Sequence, residues 1–318
     1  MKTIRYGILG PGYIAHRFVE AVKLSEYGIV EAVASTSQKR ADEFASRHNI
    51  QKAYESYSAL LNDPLLDIVY ISNRHDDHFD TILQVLNSNK HVLVEKPMVL
   101  TKQQAVECFQ MAKKKNLFLM EAQKMPFLPL MSEIFKQIRN NEIGELRFIE
   151  TSFCYADRFE EGHWMISKQH GGGLYGTASY GLTLIALLAN SPIRSIHAAA
   201  ALYDNQADRY GVATIHFEND LIATTRFATD LVSENKAYIY GSNGYYIIED
   251  FWKNDHATKV VNHTAETMSV KTENDMVYEI NHVNECLQKN LIESWIMDST
   301  ISIQLAYLIE TIKKRVSP

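Results

Sequence analysis

Cysteine is scarce in this chain: three among 318 residues, at Cys108, Cys154 and Cys286, far apart and odd in number. That excludes a disulfide framework and leaves no C-x-x-C pair for zinc or redox work, so all three are expected as small buried hydrophobes. An excess of positive charge is also lacking, since 32 Lys and Arg stand against 38 Asp and Glu for a net charge of -6. No broad basic field is available for a nucleic-acid backbone, and nucleic acid is not an expected partner. No apolar run approaches the roughly 18 residues needed to span a bilayer, and the first residues read as a strand rather than a charged-then-apolar leader. The expectation is a cytoplasmic protein with no membrane partner. The sequon Asn262-His263-Thr264 therefore carries no meaning. With only 7 Pro and 14 Gly, there is no low-complexity tract.

What is present is an ordered, core-forming composition, 46% hydrophobic and 10% aromatic, long enough for about two domains. The β-prone stretch Ile4 to Leu9 runs straight into Gly10-Pro11-Gly12-Tyr13-Ile14-Ala15 and then a helical pattern. That is a G-x-G-x-x-G/A turn in its required setting, strand before and helix after. Gly10 permits the tight turn, Gly12 lets the backbone approach a pyrophosphate, and the small Ala15 lets helix and strand pack closely.

Strand and helix patterns then alternate through Ile29 to Ser35, Lys39 to Arg47, Asp67 to Ser72, Phe79 to Ser88, the Val92 run, Thr101 to Lys115, and Leu117 to Met120. This predicts a doubly wound parallel sheet over residues 1–121. Lys96, in His91-Val92-Leu93-Val94-Glu95-Lys96-Pro97, sits where a strand buried on both faces must stop, at the carboxyl edge where such sheets bind ligands. Residues 122–318 read as an α+β domain. A helix at Ser132 to Arg139 leads to strand-like runs at Leu146 to Cys154, Ile193 to Leu202, Val212 to Phe217, Ile222 to Ala228, Lys236 to Tyr240 and Tyr245 to Ile248. Their turn spacing predicts an antiparallel meander, closed by helices at about Asp275 to Lys289 and Thr300 to Lys314.

The Gly10 to Ala15 turn, the stretch ending at His78, Glu95-Lys96-Pro97, Glu142-Ile143-Gly144-Glu145 and Gly171-Gly172-Gly173 after Trp164 together resemble the Gfo/Idh/MocA oxidoreductases, in particular their dihydrodiol dehydrogenase-like and glucose-fructose oxidoreductase-like branches. The resemblance spans essentially the whole chain. It implies an α/β fold with an N-terminal Rossmann domain and a C-terminal domain whose large, open-faced, mainly antiparallel sheet pairs with another copy as a dimer or tetramer. It implies that Lys96 orients the nicotinamide and donates to the reacting oxygen, stabilising alkoxide character as hydride moves.

The proton-moving partner departs from the family pattern G-G-x-L-x-D-x-G-x-[HY]. This chain reads Gly171-Gly172-Gly173-Leu174-Tyr175-Gly176-Thr177-Ala178-Ser179-Tyr180, with Gly176 at the Asp position. Tyr180 survives as the group able to exchange a proton. A phenol is a poor base at neutral pH, but a close ammonium favours the phenolate. In the loop where relatives show T-P-N-x-x-H, the chain has Asn73-Arg74-His75-Asp76-Asp77-His78. Asp76 or Asp77 capping the next helix explains its acids better than a metal, and none is expected. Lys124, in Gln123-Lys124-Met125-Pro126-Phe127, stands near where relatives carry a substrate-side cation, and Trp164 lies in the segment that approaches the nicotinamide.

Expected cofactor contacts are Gly10, Gly12, Tyr13, Ile14, Ser35, Thr36, Arg40, Asn73, His75, His78, Glu95, Lys96, Gln123 and Trp164; the expected catalytic pair is Lys96 and Tyr180. After the second strand, Ala34-Ser35-Thr36-Ser37-Gln38-Lys39-Arg40 contains no acid to repel a 2′-phosphate, so NADP is expected in preference to NAD. The predicted activity is hydride transfer between nicotinamide and a hydroxyl or carbonyl carbon of a sugar, polyol or diol. Two alternatives are NAD-dependent glycoside hydrolysis with retained cofactor and a non-catalytic dinucleotide sensor.

Overall fold

The computed structural model describes residues 2–155, 163–167 and 171–316. They form two compact units, residues 1–123 with 274–306 and residues 124–273 with 307–318.

In the first unit, strands β1 (Ile4–Leu9), β2 (Gly28–Ala34), β3 (Lys52–Tyr54), β4 (Ile68–Ile71), β5 (His91–Glu95) and β6 (Leu119–Ala122) alternate with helices α1 (Tyr13–Leu24), α2 (Gln38–His48), α3 (Tyr57–Leu61), α4 (His78–Asn87) and α5 (Lys102–Lys115). All six strands are parallel, in the order β3-β2-β1-β4-β5-β6. The chain reverses its winding direction between β1 and β4, the crevice where open α/β sheets bind nucleotides. The strands at this crevice are fully buried on both faces, as Ile68 to Ile71 and Val92 to Val94 show, because helices cover both sides of the sheet.

Two elements escape the periodicity reading. β3 and α3 are three and five residues long, below the length at which either period registers. β6 also starts two residues later than Leu117. Asn116 ends α5 in the left-handed region at φ 56°, and the Leu117 amide still bonds back to Ala112, so Leu117 belongs to the helix cap.

The second unit contains α6 (Pro129–Arg139), β7 (Leu146–Cys154), α7 (Gly173–Gly176) and α8 (Ala178–Ala189). It continues with β8 (Ile193–Leu202), β9 (Asp208–Phe217), β10 (Ile222–Ala228), β11 (Lys236–Gly241), β12 (Gly244–Glu249), β13 (His256–Val261) and β14 (Thr264–Ser269). Its eight strands run β14-β13-β12-β11-β7-β10-β9-β8.

The expected simple meander is corrected here. β7 lies between β11 and β10 and pairs parallel to β10. Its run Thr151 to Cys154 is buried, which suits a central strand. A parallel neighbour needs a long crossover, and the connection containing α7 and α8 provides it. The hairpin β13–β14 was not foreseen. β14 is almost wholly exposed, so it carries no apolar alternation, and its turn uses Asn262 and His263 at φ 50° and 66° instead of an Asn-Gly pair. The first two sequon residues thus form a two-residue turn, and Thr264 opens β14. The last helices are α9 (Val277–Gln288) and α10 (Ser299–Val316). Cys108, Cys154 and Cys286 are all buried and free.

Candidate functional site

The β1-α1 turn leaves the strand at Gly10 with φ +91°, where an added Cβ would lie 2.7 Å from the Asn73 amide nitrogen. Only glycine fits. The Ser72 hydroxyl donates to the Gly10 carbonyl at 2.8 Å, fastening β4 to the turn. Gly12 is the N-cap of α1, with no side-chain cap and no acid in the first turn. A Cβ built there meets nothing within 4 Å, so the space in front of this backbone is open. Tyr13 projects outward at 81% exposure, and Ile14 is half-buried.

At the end of β2, Ser35 is buried and accepts from the Ser37 amide at 3.4 Å. Arg40 Nη2 donates to Thr36 Oγ1 at 2.7 Å, and both side chains are exposed. Residues 35 to 40 include a guanidinium and three hydroxyls and no carboxylate.

After β4, Asn73 donates from Nδ2 to Thr81 Oγ1 at 2.9 Å, while its Oδ1 is buried with no hydrogen-bond partner among the described residues. His75 is buried beside it. His78 lies 1% exposed at the start of α4, with Nδ1 3.0 Å from the Pro97 carbonyl and Nε2 3.2 Å from the Asn73 carbonyl. Burial pushes its pKa down to about 4, so the neutral ring donates to one of the two carbonyls. The expected cap is corrected: Asp77 is the N-cap of α4 without a side-chain bond, and Asp76 instead takes both nitrogens of a bidentate Arg74 contact at 3.1 and 3.0 Å. No group of three metal-ligating side chains occurs among the described residues.

β5 delivers Glu95, half-buried Lys96 and a cis Lys96–Pro97 bond. Glu95 Oε1 accepts from Tyr70 Oη at 2.5 Å and Oε2 from the Lys96 amide at 3.3 Å. Gln123, at the end of β6, is fully buried and its amide points to Glu121 Oε1 at 3.4 Å. Sequence reasoning passed over Glu121, although one carboxylate inside the apolar run Leu117 to Ala122 was a legible signal.

The second unit presents Tyr180 on α8. Gly181 lets that helix approach closely, since a Cβ there would lie 2.4 Å from Thr151 Oγ1 and 2.6 Å from Thr225 Oγ1. The turn before α7 is pinned at Gly172, φ +107°, by Asp208. One carboxylate oxygen of Asp208 accepts from the Leu174 amide at 2.7 Å and the other from Lys313 at 2.6 Å. At the position of the family's Asp, a Cβ on Gly176 would meet Met165 Cε, the movable end of a side chain, at 3.1 Å. Around the Tyr180 ring stand Phe153, at 5.9 Å between centroids, and Trp252, nearly coplanar at 6.4 Å and 17°. The buried Lys124 ammonium lies 6.0 Å from the same ring. Phe153 and Trp252 were not anticipated, because neither carries a motif. Trp164 sits half-exposed in a short turn whose His163 accepts from the Met165 amide at 3.2 Å.

These residues fit a dinucleotide. An uncapped helix N-terminus, an open approach at Gly12 and the absence of nearby acid suit a pyrophosphate, and the Arg40 and Thr36 pair suits a 2′-phosphate.

The comparisons agree with this geometry. Residues 4–123 match the description "Oxidoreductase family, NAD-binding Rossmann fold", and residues 131–247 match the Gfo/Idh/MocA C-terminal domain. The chain is 32% identical over 320 residues to a trans-1,2-dihydrobenzene-1,2-diol dehydrogenase of Xenopus laevis, covering 96% of each chain. The Mus musculus enzyme of that name is 29% identical over 99% of this chain and 97% of its own. Among solved structures, a 3-ketoreductase from Actinomadura kijaniata in complex with TDP-benzene and NADP superposes with a TM-score of 0.90 at 22% identity, covering 99% and 98% of the two chains. Fold, turn chemistry and these matches lead to one assignment: the chain belongs to the Gfo/Idh/MocA family of NAD(P)-binding oxidoreductases.

Proposed function

We propose that this protein is an NADP-dependent dehydrogenase acting on the CH-OH group of a small cyclic diol, sugar or polyol. The single observation that carries the cofactor choice is the acid-free end of β2, with Arg40 braced on Thr36 at 2.7 Å. The names of the diol dehydrogenases that align over nearly the whole chain support the substrate class.

When bound, the nicotinamide gives or takes the hydride. The chain's own groups do the rest. The Gly10 to Ala15 turn holds the pyrophosphate on the α1 amides. Lys96, presented at the carboxyl end of β5, donates to the reacting oxygen and stabilises its negative charge. Tyr180 Oη takes the hydroxyl proton in oxidation and returns it in reduction. Because Gly176 supplies no carboxylate, the phenol is the proton-moving group of its turn. Asn73, His75, His78, Glu95 and Gln123 shape the rim around Lys96, with His78 acting on backbone carbonyls.

The same reading places the protein in the cytoplasm as a homo-oligomer assembled through the open face of the eight-stranded sheet, where Tyr210 and Val212 of β9 are exposed. No described helix is long and apolar enough to cross a membrane.

The test is NADPH and NADH binding by nucleotide fluorescence, followed by turnover with trans-1,2-dihydrobenzene-1,2-diol and a panel of sugars and polyols. NADPH is expected to bind the more tightly, and Lys96→Met is expected to abolish turnover while sparing binding. Failure to bind either nucleotide overturns the proposal, and unchanged turnover in Lys96→Met removes Lys96 from the chemistry.

A further inference from the structure

The mechanism above leaves the buried Glu121 unused. Glu121, near the carboxyl end of β6, is 2% exposed. Its Oε1 accepts from the Met98 amide at 3.0 Å and from the Gln123 amide at 3.4 Å. Its Oε2 and the hydroxyl of Ser302 on α10 are buried with no hydrogen-bond partner among the described residues, and Ser302 favours the charged carboxylate. Glu95 does the matching task on the other side, accepting from the Lys96 amide at 3.3 Å. The peptide carrying Lys96 and Pro97 is thus bracketed by two carboxylates, each holding one flanking N–H.

We propose that Glu121 is a positioning residue for Lys96, fixing the 96–98 turn through the Met98 amide, and that its ionisation sets the acid limb of activity. This rests on the assignment of Lys96 to the hydride site. Physically, an ionised acceptor makes the stronger bond to a backbone N–H. Burial, with Glu95 on the neighbouring strand adding to it, raises the Glu121 pKa to about 7. The groups facing it are Glu95 from β5, the Met98 amide from the turn, Gln123 from its own strand end and Ser302 from α10. As pH rises and the carboxyl loses its proton, the Met98 hydrogen bond tightens.

The experiment follows the Met98 amide proton by NMR in the NADPH-loaded protein, alongside the pH profile of NADP-linked oxidation of trans-1,2-dihydrobenzene-1,2-diol. In the wild type the amide resonance is expected to move with an apparent pKa near 7, together with the acid limb of kcat. Glu121→Gln keeps an oxygen for Met98 but cannot ionise. It is expected to lose both titrations and about tenfold in kcat above pH 8, as a displaced catalytic group does, with NADPH affinity changed less than twofold. Ser302→Ala, which removes a group favouring the charged form, is expected to move both titrations to higher pH. A Met98 amide that does not titrate, or a kcat limb that persists in Glu121→Gln, overturns the inference. A Lys96→Met variant that still turns over instead overturns the reading beneath it, so the two failures are distinct. If Glu121→Gln fails to fold, the direction of the Ser302→Ala shift decides alone.

Discussion

Lys124 Nζ stands 6.0 Å from the centre of the Tyr180 ring, and only 6% of the lysine is exposed. A desolvated ammonium over an aromatic face is worth about 2 kcal/mol or more, and 6.0 Å lies at the limit of that interaction; a nearby cation also favours negative charge on the phenol oxygen. On the proposed mechanism Lys124 stabilises the phenolate that Tyr180 becomes as it takes the proton. Lys124→Met is expected to lower kcat roughly tenfold at neutral pH, and Tyr180→Phe to abolish turnover. Combining them should cost no more than Tyr180→Phe alone. A steady-state double-mutant cycle at constant pH checks this, and fully additive losses would mean that Lys124 acts independently of Tyr180.

Gly10 and Gly12 are two residues apart and fail differently when substituted. At Gly12 an added Cβ meets no atom within 4 Å and φ is -89°, an ordinary value for alanine. Gly12→Ala is expected to keep the wild-type Tm within about 2 °C and lose at least about tenfold in NADPH affinity, because the methyl occupies the approach to the α1 amides. Gly10→Ala forces a Cβ against the Asn73 backbone at a left-handed φ, and a loss of about 2 kcal/mol in stability is expected. Thermal melts and nucleotide titrations of the two variants separate a binding glycine from a folding glycine.

Much of this was legible because it is local. The turn at Gly10 to Ala15, the buried run before Lys96 and the acid-free stretch after Ala34 each state their chemistry within about ten residues. The doubly wound sheet followed from the alternation of strand and helix patterns, with β4 and the middle of β5 buried on both faces. What was not legible depends on long-range pairing. The position of β7 between β10 and β11 is set by burial and by a crossover, neither of which a strand-by-strand reading sees. Phe153 and Trp252 meet Tyr180 from β7 and from the segment after β12, so no spacing announces them. His78 read as a ligand contact because its motif is a site motif, whereas its two nitrogens face main-chain carbonyls.

On the proposed reading, Arg40 and Thr36, hydrogen-bonded at 2.7 Å, form the pair on which cofactor choice turns. A 2′-phosphate offers the guanidinium two acceptors in the bidentate geometry that arginine favours, and NAD offers only hydroxyls there. Arg40→Glu is expected to weaken NADPH binding about 100-fold, or roughly 2.7 kcal/mol, and to change NADH binding by less than threefold. Fluorescence titration with both nucleotides tests the pair. Equal losses for the two would show that Arg40 supports the fold of the β2-α2 turn and does not read the phosphate.

Stability against pH is set by buried groups of opposite kind that pull in opposite directions. His78 and His282 are both pushed down to about 4, first by burial. A histidine whose folded pKa lies below its unfolded value of about 6.5 binds its proton less well in the native state. Its contribution is complete above about pH 6.5 and is lost as pH falls towards 4, at up to about 3 kcal/mol for each. Glu121 runs the other way: its folded pKa of about 7 exceeds the unfolded value, so its protonated form stabilises the fold at low pH. That contribution fades as pH rises from about 4.5 to 7, again by about 3 kcal/mol. Because two histidines outweigh one glutamate, denaturant unfolding is expected to show stability climbing through about pH 5 and 6 and levelling off near about pH 6.5 to 7. Replacing His282, whose Nε2 bonds Ser294 at 2.8 Å, by Gln should flatten only the acid side. Glu121→Gln should raise stability at pH 8 and leave pH 5 unchanged, since at pH 5 the wild-type side chain is already neutral. A Glu121→Gln variant less stable than wild type at pH 8 would show that the carboxylate bond to Met98 outweighs the burial of its charge.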